Sequence, residues 1–312
     1  MKSYEEVKAL LGTESFETNP PDAPIMVKDG SKCRLNAAVL SDLHVSEKIA
    51  EQTKNAYLSL DDLEFAQSRI DVLTFAGDLT NNGKENEYRL LSEKLNKIKT
   101  VDNIVPVTGN HDIRFGAFSS TLKNFAKFCS DVNKNLKVPG LWYSYDANGY
   151  TFIVLGSVKR RFEEATLSKE ELIWLDKKLT ANDSKNKPVF VMLHQPLKLT
   201  HNLPNSWDMP GTKAGSVGKE SDMLEFVLGM HKNVFLITGH LHRGFNQFTF
   251  EEHSGIHCIS VPAVGLYNKD SDYSTPGLGI MIEIYDDEVI FRPRNFIEGR
   301  YIPKLETTYT IE

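Results

Sequence analysis

Val105-Pro-Val-Thr-Gly-Asn-His-Asp112 passes from an apolar run through a glycine into an amide, an imidazole and a carboxylate in direct succession. An apolar run bounded by a turn reads as a buried strand, which puts the polar cluster on the loop at its carboxyl end. Open α/β sheets bind their ligands in the crevice beyond those strand ends. The pattern recurs along the chain. Leu35–Leu40 leads into Ser41-Asp-Leu-His44, residues 71–76 into Gly77-Asp78, residues 188–193 into His194, and Val234–Thr238 into Gly239-His-Leu-His242.

Between the early clusters the apolar period changes from strand to helix. Leu58, Leu63, Phe65 and Ala66 mark one helical stretch, and Tyr88, Leu91, Leu95 and Ile98 recur at three-to-four spacing in the next. This alternation predicts right-handed parallel crossovers, with the first three clusters on one edge of one sheet. The second half is more mixed. Phe118, Leu122, Phe125 and Phe128 make an amphipathic helix, and Asn148-Gly149 joins two short strands into a hairpin. Ser168 with Glu171 has capping-box spacing ahead of Leu172, Leu175 and Leu179. Residues 195–218 form a Gly/Pro/Asn-rich loop of lid length. A helix is expected near 221–230, and short strands over 245–291.

The ends of the chain read as additions. Ser3 with Glu6, followed by Val7, Leu10, Leu11 and Gly12, suggests a short capped helix, and Asn19-Pro-Pro-Asp-Ala-Pro24 an extended linker. The expected organisation is therefore an N-terminal helix and linker over 1–33, one main domain over 34–292, and a C-terminal extension over 293–312.

Composition narrows the class. Across 312 residues, 40% hydrophobic and 25% charged content is ordinary for a globular protein. The net charge of -6, with no basic run, disfavours a nucleic-acid partner. Cys33, Cys129 and Cys258 are widely spaced without a Cys-x-x-Cys, as packed thiols of a cytoplasmic protein would be. The charged N-terminus does not resemble a signal peptide, and no run is long enough to span a membrane.

The strand ends together offer Asp42, His44, Asp78, Asn110, His111, His194, His240 and His242. Mixed imidazole and carboxylate donors suit Mn, Fe or Zn, whereas a calcium or magnesium cage is built from oxygen alone. Residues two apart in an extended segment point the same way, so Asp42 with His44, and His240 with His242, would each address a common centre. Asp78 has no neighbouring histidine and suits a carboxylate shared between two ions.

This succession, from Asp42-x-His44 to Gly239-His-x-His242, resembles the calcineurin-like metallophosphoesterase superfamily over about residues 35–291. Gly77-Asp-Leu-Thr80 and His194-Gln-Pro196 are similar in style to its cyclic-nucleotide phosphodiesterase branch. Asn81 and Gln195 depart from many relatives, which carry an acid and a second histidine there. The resemblance implies an α/β fold, a four-layer αββα sandwich of two mixed β-sheets flanked by helices. It also implies one metal held by Asp42, His44, Asp78 and His242, and a second by Asp78, Asn110, His194 and His240. Mn or Fe is favoured over Zn.

The implied activity is hydrolysis of a small phosphodiester, a cyclic nucleotide or similar molecule, by a hydroxide generated from a water between the metals. His111, with no metal assigned, is the candidate for stabilising developing charge and protonating the leaving oxygen. Asp112 would orient that imidazole and favour its protonated form. Arg114 and His201 are candidate substrate contacts. Trp207, in the long loop, is read as a packing residue ahead of a ring-stacking one. The alternatives are a phosphomonoesterase, including a protein phosphatase, and a non-catalytic scaffold of the same fold. The intact donor set argues against the scaffold.

Overall fold

The computed structural model describes residues 22–136, 138, 140–203 and 215–312. The helix expected over 3–12 and Trp207 lie outside them. In chain order, the first half comprises β1 (Leu35–Leu40), α1 (Ala50–Glu64), β2 (Ile70–Phe75), α2 (Glu85–Leu95), β3 (Val101–Val105), α3 (Asn110–Ile113) and α4 (Phe118–Val132). The hairpin β4 (Tyr143–Ala147) and β5 (Tyr150–Val154) follows, then α5 (Lys169–Asp183), β6 (Val189–Met192), α6 (Ser221–Gly229) and β7 (Val234–Thr238). The chain continues through β8 (Phe250–His253), β9 (Ile256–Ser260), β10 (Leu278–Ile284), β11 (Glu288–Asn295), β12 (Arg300–Tyr301) and β13 (Thr307–Thr310).

The first sheet has the order β12-β11-β10-β1-β2-β3, with β13 also on β11; the second is β4-β5-β6-β7-β9-β8. Parallel pairing of β1 with β2 and β2 with β3 follows from the helical crossovers, as the alternation predicted. β5, β6 and β7 are likewise parallel, so their carboxyl ends share an edge.

Side-chain alternation then divides the second sheet between two cores. Phe152, Val154, Phe190, Met192, Phe235 and Ile237 join the first sheet in one large core. Their neighbours Ile153, Val189, Val191, Val234 and Leu236 pack under Leu172, Leu175 and Leu179 of α5 and Leu224 and Leu228 of α6. Phe152, Phe190 and Phe235 stack in a row at 5.2 and 5.5 Å between centroids. Phe235 then meets Phe291 of the opposite sheet at 5.4 Å. Each such buried ring contributes on the order of 1.5–3 kcal/mol by removal from water. Two mixed sheets face one another with helices outside, the sandwich expected.

The ends of the described chain pack onto this body. Ile25 is fully buried, and its carbonyl accepts the N–H groups of Gln67 and Ser68. Arg294 is fully buried and donates from Nε and Nη2 to Asp62 of α1, at 2.6 and 2.8 Å. Tyr309 of β13 lies against His257 and Phe291.

Candidate metal centre

The loops leaving β1, β2 and β7 do not continue as strands. Asp42, His44, Asp78, His240 and His242 all have positive φ, between 48° and 71°. The expectation that an extended segment aligns residues two apart is therefore corrected. Alternate left-handed residues, not a prolonged pleat, turn Asp42, His44 and His242 toward one point and His240 toward His194 beside it. Such backbone is unfavourable outside glycine and persists where its surroundings over-determine it. Here Asp42 N–H donates to the Gly77 carbonyl at 3.1 Å and His44 N–H to that of Asp78 at 3.0 Å. Two glycines allow this close approach. A Cβ on Gly77 would strike the His194 ring, and one on Gly239 would strike Ser41 Oγ and the Asp42 carboxylate.

The side chains converge. Donor atoms of Asp42, His44, Asp78 and His242 all lie within 4.8 Å of one another. His242 Nε2 is 2.9 Å from Asp42 Oδ1 and 3.2 Å from His44 Nε2. Asp78 Oδ2 lies between two sides of the cluster, 3.5 Å from His44 Nε2 and 3.3 Å from His194 Nε2. His194 Nε2 is in turn 3.2 Å from His240 Nδ1. The remaining oxygens are occupied by protein donors. Asp42 Oδ2 accepts from Ser41 Oγ at 2.6 Å and His240 N–H at 3.0 Å, and Asp78 Oδ1 from His111 N–H at 2.8 Å.

The cluster fits a bound metal ion. Asn110 donates through Nδ2 to the Phe162 carbonyl at 2.7 Å, and its Oδ1 is buried with no hydrogen-bond partner among the described residues. An orphaned carbonyl oxygen beside imidazoles and carboxylates is a ready ligand. Asp42 and Asp78 are fully buried, yet among the described residues neither has a Lys or Arg within 4 Å. Buried anions need compensating cations. Burial opposes the charge on both, but His242 and His194 hold Asp42 well below the usual carboxyl range, and His194 and His111 lower Asp78. The same attraction overcomes burial at His194, pushed up to about 9 by Asp78 and Asp42. His240 is pushed well down by burial and by His194.

A profile of the calcineurin-like phosphoesterase family matches residues 35–244. The chain belongs to that family. It is 24% identical over 235 residues to a probable cyclic nucleotide phosphodiesterase of Vesicomyosocius okutanii subsp. Calyptogena okutanii (strain HA), covering 74% of this chain and 88% of the relative. It is 25% identical over 221 residues to a probable glycerophosphodiester phosphodiesterase of Arcobacter nitrofigilis, covering 65% and 70%. The crystal structure of a dimetal phosphatase from Danio rerio superposes with a TM-score of 0.59 at 17% identity, covering 90% of this chain and 100% of the other. That last likeness speaks for the fold. Family membership brings a dinuclear metal site with it, and the donor cluster above provides the residues for one.

Within this calcineurin-like centre His111 stands beside the cluster, its Nε2 4.0 Å from Asp78 Oδ2 and its ring edge-on to His44. Its Nδ1 is 3.0 Å from both the Asn81 carbonyl and Arg114 Nη2. Burial pushes the imidazolium down to about 4, with His44 and Arg114 adding to the effect, so the expected protonated form is not favoured. Asp112 does not orient that ring either. Its carboxylate accepts from Leu79 N–H, Thr80 N–H, Thr80 Oγ1 and Gly109 N–H, at 2.8–3.1 Å. It fastens the Asp78 loop to the Asn110 loop.

Arg114 lies at the cluster, with Nη2 on His111 and Nη1 3.8 Å from Glu163. His201 does not. It is 2% exposed, its Nδ1 lies 2.6 Å from the Phe248 carbonyl, and its own carbonyl accepts from Arg243. Among the described residues its contacts are those of a packed loop residue. His231 pairs with Asp183 and Asp176, and His253 with Glu225, away from the cluster.

Glu163 escaped the sequence reading. Its Oε2 is 3.6 Å from His240 Nε2, and its carbonyl accepts from Gln195 Nε2 at 3.0 Å. In sequence it belongs to Arg160-Arg161-Phe162-Glu163-Glu164, which reads as a solvated charge run. No local signal separates it from its neighbours.

Proposed function

We propose that this chain is a metal-dependent phosphodiesterase acting on a small ester, a cyclic nucleotide or related molecule. The observation carrying the reading is the convergence of Asp42, His44, Asp78 and His242 beside an orphaned Asn110 Oδ1. The preference for a diester draws on the relatives named for cyclic nucleotides and for glycerophosphodiesters.

Asp42, His44, Asp78 and His242 would hold one ion, and Asp78, Asn110, His194 and His240 the other. Mn or Fe suits this nitrogen and oxygen set. Bound there, the ions supply Lewis-acid polarisation of the phosphoryl group and lower the pKa of water. The protein's part is to fix donors and to meet developing charge. His111 directs Nε2 toward Asp78 Oδ2, while its Nδ1 is held between the Asn81 carbonyl and Arg114 Nη2. With a proton on Nε2 the ring would stabilise charge on the departing ester oxygen by hydrogen bonding.

The test uses a chromogenic phosphodiester and its monoester with metal-stripped protein, Mn-reconstituted protein and His111→Ala. The expected result is Mn-dependent diester cleavage that falls roughly a hundredfold in the variant. A monoester preference would replace this reading with a phosphomonoesterase. Failure to bind metal would remove its basis.

A further inference from the structure

The segment between β5 and α5 carries a ring that hydrolysis itself does not require. Phe162 is 66% exposed, yet its backbone is anchored at the site, since its carbonyl accepts from Asn110 Nδ2 at 2.7 Å. The next residue ties the segment down again through Gln195 and the Glu163 carboxylate near His240. The Phe162 ring lies over the Arg114 guanidinium, 4.6 Å from its centre, and Phe115, 42% exposed, lies 4.9 Å from the same group. Arg114 Nε is buried without a hydrogen-bond partner among the described residues, while Nη2 reaches His111. Solitary exposed apolar side chains are ordinary. Two exposed phenylalanines against one cation that touches His111, one of them tethered to Asn110, are not scattered.

We infer that Phe162, with Phe115, forms a stacking shelf for a planar heteroaromatic ring of the substrate, while Arg114 holds an oxygen of the ester. This rests on the phosphodiesterase reading and narrows its substrate class to esters that carry a base. Base-on-aromatic stacking tolerates any base, because each has a π face. The guanidinium beneath the rings adds a cation–π contribution and keeps them in place. A glycerol or ethanolamine ester has no face to offer, so the shelf discriminates by ring, not by phosphate.

The experiment compares binding of adenosine 5′-monophosphate and glycerol 3-phosphate to Mn-reconstituted protein by calorimetry, in wild type, Phe162→Ala and Phe162→Leu. The wild type prefers the nucleotide. The ratio of the two affinities falls about tenfold or more in the variants, the scale of one lost stacking contact. Phe162→Leu retains apolar bulk should the alanine variant fail to fold. Where a probe is turned over, the ratio is taken from kcat/KM. A wild-type ratio near one, or a ratio unchanged by the substitutions, overturns the shelf. Absence of diester hydrolysis with an intact ratio would count against the phosphodiesterase reading and leave the shelf standing.

Discussion

His194 Nδ1 lies 2.6 Å from the carbonyl oxygen of Ala76, and this contact fixes which nitrogen faces the cluster. With its proton on Nδ1, the ring presents Nε2 to Asp78 Oδ2 and His240 Nδ1. A carbonyl that orients a ligating imidazole in this way also raises its basicity. His194→Ala should therefore lose about one metal ion per chain, since two-metal sites depend on each ligand set separately. Elemental analysis after dialysis measures this; two ions retained would show that His194 is not a ligand.

Asp112 is a structural carboxylate whose four donors come from two loops. Asn in its place offers one acceptor oxygen and turns an amide against N–H groups. Leaving buried donors unsatisfied costs about 1–3 kcal/mol each. Asp112→Asn should lower urea stability by roughly 3 kcal/mol on that basis. A variant as stable as wild type would contradict this account.

Glu171 supplies the pH dependence. Ser168 and Glu171 form the capping box of α5, and Gly156 N–H donates to Glu171 Oε1 at 3.0 Å. Burial pushes this carboxyl up to about 8 from an ordinary 4.5. Between those values the folded chain holds a proton that the unfolded chain releases, so stability falls as pH rises through the window. Glu171→Gln should flatten that part of the profile of thermal midpoint against pH. Equal slopes in both proteins would rule Glu171 out as the source.

The Arg294–Asp62 pair is buried, and removing one partner strands the other. Arg294→Leu should cost about 3–5 kcal/mol, and the double variant Arg294→Leu with Asp62→Leu should recover much of it. Denaturant unfolding of the three variants measures the coupling. A single variant with no loss would mean that the pair is dispensable.

Much of the centre was legible because the signals are local. An apolar run followed by Gly-Asp or Asn-His-Asp marks a strand end whatever lies elsewhere, and Ser168 with Glu171 marks a helix start three residues apart. The misreadings have a common origin. Adjacency suggested that Asp112 serves His111, but its carboxylate binds residues some thirty positions away. His201 lies in a loop near Arg243 and packs inward on Phe248. Glu163 carries nothing locally that marks it, because its partner His240 arrives from another strand.

The sequence by itself determined the order of strand-end clusters, the donor types at Asp42, Asp78 and His194, and the layered α/β class. These depend on period and composition, which are short-range properties. Tertiary structure decided how the donors meet. Left-handed turns at Asp42, His44, His240 and His242 are held by bonds between neighbouring loops, and the glycine contacts at Gly77 and Gly239 let those loops close on one another. It also decided that Phe162 and Glu163 stand over the cluster, because the sandwich brings the segment after β5 to the edge where Asn110 and His240 emerge.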